Sequence, residues 1–200
     1  MNGPIVKQSW TYRVRIEVTA TEELEVLQEV ARRLEEAGIP YMITGSMAAN
    51  FYAVPRMTRD IDVVIELSER DADKLIRIFE KDFYLEPDTV RAAARKKAMF
   101  NLIHNKYIIK VDFVVRKDSV YRRREFSRRK KVRVEKRHIY VVAPEDLILS
   151  KLDWAKETES EVQLADVRNL LKAVRGLNRR YLASWAKRLG IESLYRRVAR

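Results

Sequence analysis

The sequence predicts an α/β (α+β) fold in which a small mixed β-sheet is flanked by helices and followed by a C-terminal helical bundle. Short apolar runs of strand length alternate with amphipathic helical segments as far as residue 143. From residue 144 onward the apolar residues recur only with helical periodicity. No Gly/Ser-rich linker separates the two parts. We therefore predict one region over 1–143 and a helical region over 144–200 that packs on it.

The first predicted element is a helix over about 20–37. Thr19 and Glu22 have the spacing of a capping box, which satisfies backbone N–H groups at the start of a helix. Gly38 ends the helix, and Pro40 prevents its resumption. The apolar stripe of this helix consists of Leu24, Leu27, Val30, Ala31 and Leu34.

Two strands follow, with a short helix between them. Residues 41–44 form a short buried strand, which Gly45-Ser46 breaks before a helix begins at 47–52. Residues 60–66 form the second strand. The later predicted elements are helices over 69–82 and after Pro87, strands over 98–104 and 107–115 joined at Asn105-Lys106, a strand near 138–142, and helices over 144–157, 161–176, 178–189 and 192–199.

The composition limits the classes of function. The net charge of +12 and the pI of about 9.9 favour polyanionic partners: nucleic acid, nucleotide phosphates or a membrane surface. A thermophile surface rich in Lys, Arg and Glu would explain the charge as well. The absence of cysteine excludes thiolate nucleophiles and Cys-type zinc sites. His104 and His138 lack a metal-binding spacing, so we expect surface or strand residues, and a Ser-His-Asp hydrolase is poorly supported.

We expect a cytoplasmic protein without a membrane partner. No stretch of the sequence is both long enough and uncharged enough to span a bilayer. The first ten residues, MNGPIVKQSW, lack the apolar core of a signal peptide.

The strand over 60–66 carries two acids on one face. Ile61 and Val63 point to the other face, which must be core, while Asp60 and Asp62 lie side by side. Like charges this close repel and raise each other's pKa unless a cation lies between them. Such oxygen ligands suit Mg²⁺ (or Mn²⁺), which prefers one or two carboxylates plus substrate phosphates. Asp-x-Asp alone is more often a solvated strand face or a turn.

Asp112 shifts this balance towards function. It lies in an otherwise apolar run, IIKVDFVV, where Lys110 and Asp112 share one face of the predicted strand. Burying a lone carboxylate is costly unless it is paired or metal-bound. If this strand lies beside 60–66, Asp112 joins the first two acids. Three carboxylates can hold two metal ions for in-line phosphoryl or nucleotidyl transfer.

Gly45-Ser46 stands one short helix before the Asp-x-Asp strand. A strand that ends in Gly-Ser and opens a helix presents free backbone N–H groups, and glycine lets the backbone approach a phosphate closely. A lone Gly-Ser is common at strand-to-helix turns. Its position before Asp-x-Asp is much more specific, and it predicts a phosphate-binding turn.

The segment ITGSMAANFYAVPRMTRDIDVVIEL resembles the signature of the DNA polymerase β-like nucleotidyltransferase superfamily: Gly-Ser or Gly-Gly, a short helix, a strand with Asp-x-Asp, and a third acid on a later strand. More narrowly, R-x-T-x-D-I-D with the later E-D-L-I-L-x-K-L and A-D-V-R-N-L-L resembles the AbiEii toxin-like and related minimal nucleotidyltransferase families. The resemblance covers about 40–172. Gln163, where members often carry an acid, and Gly-Ser-Met in place of Gly-Gly-x-Ala depart from the pattern.

The resemblance implies a nucleotidyltransferase fold, a nucleoside triphosphate substrate such as ATP, and divalent metal. It implies that Asp60 and Asp62 bind metal and phosphate. Asp112 would bind the second metal and help to deprotonate the attacking hydroxyl. The nucleotide- and phosphate-binding residues that it implies are Gly45, Ser46, Arg56 and Lys151.

Lys151 stands out without the resemblance as well. It falls within the apolar stripe of the helix over 144–157, where a charge is unexpected. Either its stem packs and its amine reaches solvent, or it reaches into the site towards phosphate. Asp166 on the next helix either pairs with Lys151 or is a surface acid, and we favour the surface interpretation. The predicted core or helix-packing tryptophans are Trp10, Trp154 and Trp185.

Residues 121–137, YRRREFSRRKKVRVEKR, interleave Tyr121 and Phe126 with basic residues. They could track a nucleic-acid backbone with the aromatic rings stacked on bases, or form a solvated helix plus hairpin. The candidate RNA contacts are Arg122, Arg123, Arg124, Arg128, Arg129, Lys130 and Lys131.

We therefore predict a metal-dependent nucleotidyltransferase that transfers NMP from an NTP to an acceptor hydroxyl of RNA (such as tRNA), a protein or a small molecule. One alternative is a catalytically silent nucleotide- or RNA-binding module of the same fold. Another is an interaction protein, such as one half of a two-component stress or phage-defence pair, in which the basic stretch is a partner surface. The predicted enzyme could itself be toxin-like and have an antitoxin-like partner.

Overall fold

The computed structural model describes residues 22–135, 137–158 and 160–199. Its strands are β1 (Tyr41–Thr44), β2 (Asp60–Ile65), β3 (Phe83–Tyr84), β4 (Met99–His104), β5 (Lys110–Val115), β6 (Lys130–Val134) and β7 (Arg137–Val141). They form one sheet in the order β3-β4-β5-β2-β1-β7-β6. The pairs β2–β5 and β1–β7 are parallel and the others antiparallel, which confirms the predicted mixed sheet.

Helices flank the sheet and then continue alone. They are α1 (Glu22–Glu36), α2 (Gly45–Asn50), α3 (Ala72–Phe79), α4 (Pro87–Lys96), α5 (Val120–Ser127), α6 (Pro144–Thr158), α7 (Glu161–Ala173), α8 (Arg179–Arg188) and α9 (Glu192–Val198), with a 3-10 turn at Glu69–Asp71. The predicted α/β order followed by helices is confirmed. The short strand β3 is an addition that the sequence pattern did not predict.

The apolar stripe of α1 is part of the core. Leu27, Val30 and Leu34 are fully buried, as their spacing on one helix face predicts. Gly38 takes φ +65°, a backbone conformation that glycine adopts without strain, and the chain turns there after α1. The predicted capping residue Thr19 lies outside the described residues.

The start of α2 differs from the prediction. The helix begins at Gly45, two residues before the predicted Met47, so Gly45-Ser46 forms its first turn instead of a break between strand and helix. Gly45 takes φ +64°, which lets the chain leave β1 and enter α2 without an intervening loop.

The predicted hairpin between β4 and β5 is confirmed, but its two-residue turn is wrong. The connection spans residues 105–109, and the N–H of His104 donates to the carbonyl oxygen of Ile109 at 2.9 Å. Ile108 has φ +54° within this longer turn. Two-residue turns favour glycine, and Asn105-Lys106 supplies none.

The basic stretch over 121–137 forms α5, the edge strand β6 and the first residue of β7. Tyr121 is buried against Trp185, with ring centroids 5.0 Å apart. Phe126 is buried below the guanidinium of Arg129, 4.4 Å from its ring centroid. Stacking of these two rings on bases was therefore a wrong prediction, because α5 turns both side chains into the core. The helix-plus-hairpin interpretation describes the observed elements.

The C-terminal helices contact the first region: α6 and α7 pack against α2, and α8 contacts α5 through Trp185 and Tyr121. A boundary near 143 stays a prediction. Trp185 packs as predicted, but Trp154 is 57% exposed, so its predicted packing role is wrong. Lys151 and Ala155 occupy the buried side of α6, and Trp154 lies off that side. Trp10 lies outside the described residues.

None of the helices in the described ranges is long and apolar enough to cross a membrane.

Candidate active site

Three aspartates lie close together near the N-terminal ends of the neighbouring central strands β2 and β5. The parallel register places Asp62 beside Asp112 and Asp60 beside Lys110. Because residues two apart on a strand share a face, all three acids project from the same face of the sheet. Asp60 is exposed, Asp62 is half-buried and Asp112 is buried. We call Asp60, Asp62 and Asp112 the carboxylate cluster.

Gly45 lies directly against this cluster. Thr44 is the β1 residue opposite Asp62, so the chain reaches the carboxylate as it turns into α2. A Cβ atom added to Gly45 would lie 1.9 Å from the Oδ2 atom of Asp62. Only glycine allows this approach, and its φ of +64° also disfavours any other residue. The Gly-Ser turn and the Asp-x-Asp strand therefore form one site.

The electrostatics of Asp62 reflect crowding of like charge. Burial raises the pKa of Asp62 above its usual value, and the neighbouring charges of Asp112 and Asp60 raise it further. The charges of Lys151 and Lys110 oppose this rise without cancelling it. The cluster thus has an excess of negative charge that a cation would relieve.

Among residues 22–135, 137–158 and 160–199, Lys110 is the cation that forms ion pairs with these acids. Its Nζ atom lies 2.8 Å from the Oδ2 atom of Asp112 and 4.0 Å from the Oδ1 atom of Asp60. The hydrogen bond to Asp112 raises the pKa of the Lys110 amine, so it stays charged. The sequence indicated only that Lys110 shares a face with Asp112.

A second charged group lies beside the first and contains Arg56, Lys151 and Asp166. The Nε and Nη2 atoms of Arg56 donate to the two carboxylate oxygens of Asp166 at 3.0 and 3.1 Å. Lys151 is 3% exposed, and its Nζ atom donates to the Oδ2 atom of Asp166 at 2.7 Å and to Gln163 at 2.9 Å. We call Arg56, Lys151 and Asp166 the cation cluster, because it holds two cations and one anion.

Asp166 is buried, so the surface interpretation favoured for it was wrong. Burial alone would raise the pKa of Asp166, but the hydrogen bonds from Arg56 and Lys151 outweigh burial and hold that pKa below its usual value. Lys151 does not send its amine to solvent. The other partner of Asp166 is Arg56, which is 110 residues away in sequence, so spacing alone could not reveal that pairing.

The two clusters adjoin each other at the start of α2. The Nη2 atom of Arg56 lies 2.5 Å from the Oγ atom of Ser46, and Ser46 follows the glycine that touches Asp62. The charge of Lys151 also lowers the pKa of Asp62. All seven predicted catalytic and phosphate-binding residues are therefore brought to one region, with a negative part on β2 and β5 and a positive part around α2, α6 and α7.

The donor chemistry of the carboxylate cluster suits a divalent metal. Across the described part of the chain, no three acidic or histidine side chains lie, in their present rotamers, as a ready ligand set. However, Asp62 is pressed against the bare backbone of Gly45 and is surrounded by like charge, as expected for a ligand to a hard cation. Asp60, Asp62 and Asp112 are the residues that could hold Mg²⁺ or Mn²⁺.

Several candidate RNA contacts have partners within the protein. Arg122 binds Glu125 and Asp153, at 3.0 and 3.2 Å. Arg128 binds Glu145 and Asp146, at 3.0 and 2.8 Å. The guanidinium of Arg129 lies over the rings of Phe126 and Tyr140, while Lys130 is half-buried. Exposed candidates are Arg123, Arg124 and Lys131.

Both histidines are strand residues, as predicted. His104 on β4 is buried; its Nδ1 atom accepts from the N–H of Tyr107 at 3.2 Å, and its Nε2 atom lies 3.5 Å from Glu29. His138 on β7 is exposed.

The family comparison identifies a model that matches residues 23–188, and its description is "Nucleotidyl transferase of unknown function (DUF2204)". A search among curated proteins finds no match.

Solved structures share the fold at low sequence identity. An antigenic nucleotidyltransferase-like protein from Paracoccidioides brasiliensis has a TM-score of 0.56 at 16% identity, covering 90% of this chain and 93% of its own. The complex of ANT(2'')-Ia with adenylyl-2''-tobramycin has a TM-score of 0.55 at 16% identity, covering 88% and 98%. Lincomycin-bound LnuA, a lincosamide antibiotic adenylyltransferase, has a TM-score of 0.54 at 15% identity, covering 78% and 100%. The nucleotidyltransferase fold predicted from the sequence is thereby confirmed.

Proposed function

The chain belongs to this nucleotidyl transferase family, and we propose that it transfers NMP from an NTP to an acceptor hydroxyl with the help of Mg²⁺ or Mn²⁺. The observation that carries the proposal is the register of β2 and β5, which brings Asp60, Asp62 and Asp112 to one face. Three carboxylates in this arrangement suit in-line phosphoryl or nucleotidyl transfer.

In the proposed reaction, the acceptor oxygen forms a bond to the α-phosphorus of the NTP while the bond to pyrophosphate breaks. Asp112 accepts the hydroxyl proton, and pyrophosphate leaves with the electron pair of the broken bond. Asp60, Asp62 and Asp112 would hold the metal, which when bound supplies positive charge that stabilises the phosphate oxygens. Most of the catalysis is then electrostatic and positional.

The cation cluster is the proposed receptor for the triphosphate. Arg56 and Lys151 together carry two positive charges, and Asp166 balances only one of them. The guanidinium of Arg56 is partly exposed, so phosphate oxygens can reach it. Gly45 would contribute only through its backbone, because the Asp62 carboxylate fills the space that a side chain would need. The hydroxyl of Ser46 lies beside Arg56.

We propose RNA as the acceptor class. The net charge is +12, and the outer face of the β6–β7 hairpin carries exposed basic residues. Lys131 on β6 pairs with Tyr140, and Arg133 pairs with His138, so these side chains share one face. Two proteins of the same fold are named for adenylylating or binding antibiotics, which makes a small-molecule hydroxyl the competing acceptor.

The salt dependence of RNA binding tests the acceptor class. Replacing Lys131 or Arg133 with Ala should reduce the slope of log Kd against log salt by about one unit each, because each phosphate contact releases counterions. Lys156→Ala is the matched control, since Lys156 is an exposed lysine on α6. Equal slopes in all three variants would exclude the hairpin as an RNA surface.

A labelling experiment tests the reaction itself. The wild type and Asp62→Asn are incubated with Mg²⁺, each α-labelled NTP in turn, and total RNA, protein extract or an aminoglycoside. Label transferred only by the wild type is the expected result, and it identifies base and acceptor together. Salt-sensitive RNA binding without transfer from any NTP would instead support the catalytically silent module.

Several narrower assignments stay predictions. They are the AbiEii-like subfamily, a toxin role, an antitoxin-like partner and ATP as the nucleotide.

A further inference from the structure

The carboxylate cluster has a fourth member of opposite charge. Asp60, Asp62 and Asp112 form three corners of a square on the face of β2 and β5, and Lys110 is the fourth corner. Along β5, Lys110 is two residues from Asp112; across the parallel register it faces Asp60. The backbone itself therefore delivers one cation among the three acids.

The Lys110 amine bridges the two acids that flank Asp62. Its Nζ atom contacts the Oδ2 atom of Asp112 at 2.8 Å and lies 4.0 Å from the Oδ1 atom of Asp60. The cluster with Lys110 in place carries a net charge of about −2 instead of −3, counting each ionised carboxylate as one negative charge.

A lysine ammonium and a metal ion compete for the same lone pairs of a carboxylate oxygen: one as a hydrogen-bond donor, the other as the coordinated cation. A charged ammonium has three donors and no lone pair, so it cannot itself be a metal ligand. A divalent cation needs carboxylate oxygens as direct ligands. The Oδ2 atom of Asp112 must therefore weaken or lose its hydrogen bond to Lys110 when it binds metal.

Lys110 is able to leave. Its side chain is 42% exposed, and a lysine stem is long and flexible enough to carry the amine into solvent. The Asp112 side chain, by contrast, is only 12% exposed and is fixed on β5. Displacement of the amine therefore costs one partly solvated ion pair rather than a rearrangement of the sheet.

We propose that Lys110 is a built-in counter-ion of the carboxylate cluster that competes with the divalent metal and is displaced when the metal binds. This inference rests on the proposed function, because it takes the three aspartates as the metal ligands. It gives Lys110 two effects of opposite sign. The amine stabilises the protein without metal by neutralising clustered carboxylates, and it weakens the binding of metal.

Direct metal titration tests the inference without relying on catalysis. Mn²⁺ is titrated into the wild type, Lys110→Met and Lys110→Arg, and free Mn²⁺ is followed by electron paramagnetic resonance. Lys110→Met should bind Mn²⁺ about twofold to fivefold more tightly, as expected for removal of one competing, partly exposed ion pair, while Lys110→Arg stays near the wild type. Lys117→Met removes the same charge from an exposed position on the same chain segment and should leave the affinity unchanged.

Thermal melting supplies the second effect. Lys110→Met should melt at a lower temperature than the wild type without metal, and saturating Mn²⁺ should raise its melting temperature by more than it raises that of the wild type. Weaker or unchanged Mn²⁺ binding by Lys110→Met would overturn the inference and leave the metal site intact. If neither the wild type nor Lys110→Met binds Mn²⁺ more tightly than Asp62→Asn does, the proposed metal site and the Lys110 inference both fail.

Discussion

The carboxylate cluster and the cation cluster adjoin each other, and their central aspartates have opposite electrostatics. Asp62 lies among other acids, and burial together with those acids raises its pKa. Asp166 is also buried, but the hydrogen bonds from Arg56 and Lys151 overcome the effect of burial and lower its pKa. The pKa values of the half-buried Asp62 and the buried Asp166 are thus shifted in opposite directions by their neighbours.

This difference suits each cluster to a ligand of opposite charge. The carboxylate cluster has more anions than cations, and a divalent metal would correct that excess. The cation cluster has one cation more than it can pair internally, and a phosphate would correct that excess. A metal–triphosphate complex carries both charges, so the two adjoining imbalances together suit one substrate.

The largest expected effect is a loss of transfer activity when the carboxylate cluster is altered. Asp62→Asn should reduce transfer by about 10³-fold or more, equivalent to ~4 kcal/mol or more in the transition state, because it removes the charge of a proposed metal ligand. Initial rates with α-labelled NTP measure this. Asp88→Asn, an exposed acid on α4, is the control and should retain full activity. A wild-type rate in Asp62→Asn would eliminate the proposed mechanism.

The next largest effect is a loss of folding stability when the cation cluster is altered. Asp166→Asn should lower the free energy of unfolding by about 3 kcal/mol, because the buried amine of Lys151 loses its carboxylate partner. Urea denaturation measures the change, with the exposed Asp73→Asn as control. Asp166 would be a minor surface acid after all if its variant were as stable as the control.

The stability effect of Asp166 should also depend on pH. Its pKa is lowered on folding, so its ionised form stabilises the protein above the usual aspartate pKa, and this stabilisation is lost as pH falls through the folded-state value. The stability difference between the wild type and Asp166→Asn should therefore narrow below about pH 4. A difference that stays constant down to acid pH would mean that packing, not charge, explains the destabilisation.

The smallest of these effects concerns the backbone between the clusters. Gly45→Ala should cost about 2 kcal/mol of stability and impair transfer, because the added Cβ would meet the Asp62 carboxylate at 1.9 Å. Gly38→Ala is a matched control: its φ of +65° is the same, but no atom lies within 4 Å of the added Cβ. It should lose about 1 kcal/mol of stability from backbone strain and keep its activity. Equal activities in the two variants would contradict a role for the Gly45–Asp62 contact.

The sequence predicted the acidic side of the site better than the basic side. Asp60, Asp62 and Asp112 were recognisable because strand alternation is a local pattern, and because an acid within an apolar run is conspicuous. Lys151 was conspicuous for the same reason. The pairing of Asp166 with Lys151 was considered but not favoured, and its contact with Arg56 from a distant loop was not predicted. The contact of Lys110 with two aspartates was not predicted either, since it depends on the register of two strands.

The errors outside the site have a similar origin. Tyr121 and Phe126 lie in a basic segment, and only the packing of α5 shows that their rings belong to the core. Trp154 was predicted to pack because it was assigned to an apolar face of its helix, yet the neighbours of α6 cover a different side of that helix. Local periodicity predicts elements and faces, whereas contacts between distant segments decide which faces are covered.

The most direct test of whether the carboxylate cluster binds metal and nucleotide together with the cation cluster is a comparison of melting temperatures. The wild type and Asp62→Asn are each measured without ligand, with Mg²⁺, and with Mg²⁺ plus NTP. Without ligand, Asp62→Asn should melt at the same or a higher temperature than the wild type, because like-charge repulsion is relieved. We also expect the wild type to gain more stability from Mg²⁺ and NTP than Asp62→Asn does, although Arg56 and Lys151 remain available to the triphosphate in the variant. A lower melting temperature for ligand-free Asp62→Asn, with equal increases in melting temperature from Mg²⁺ and NTP in both proteins, would contradict both expectations.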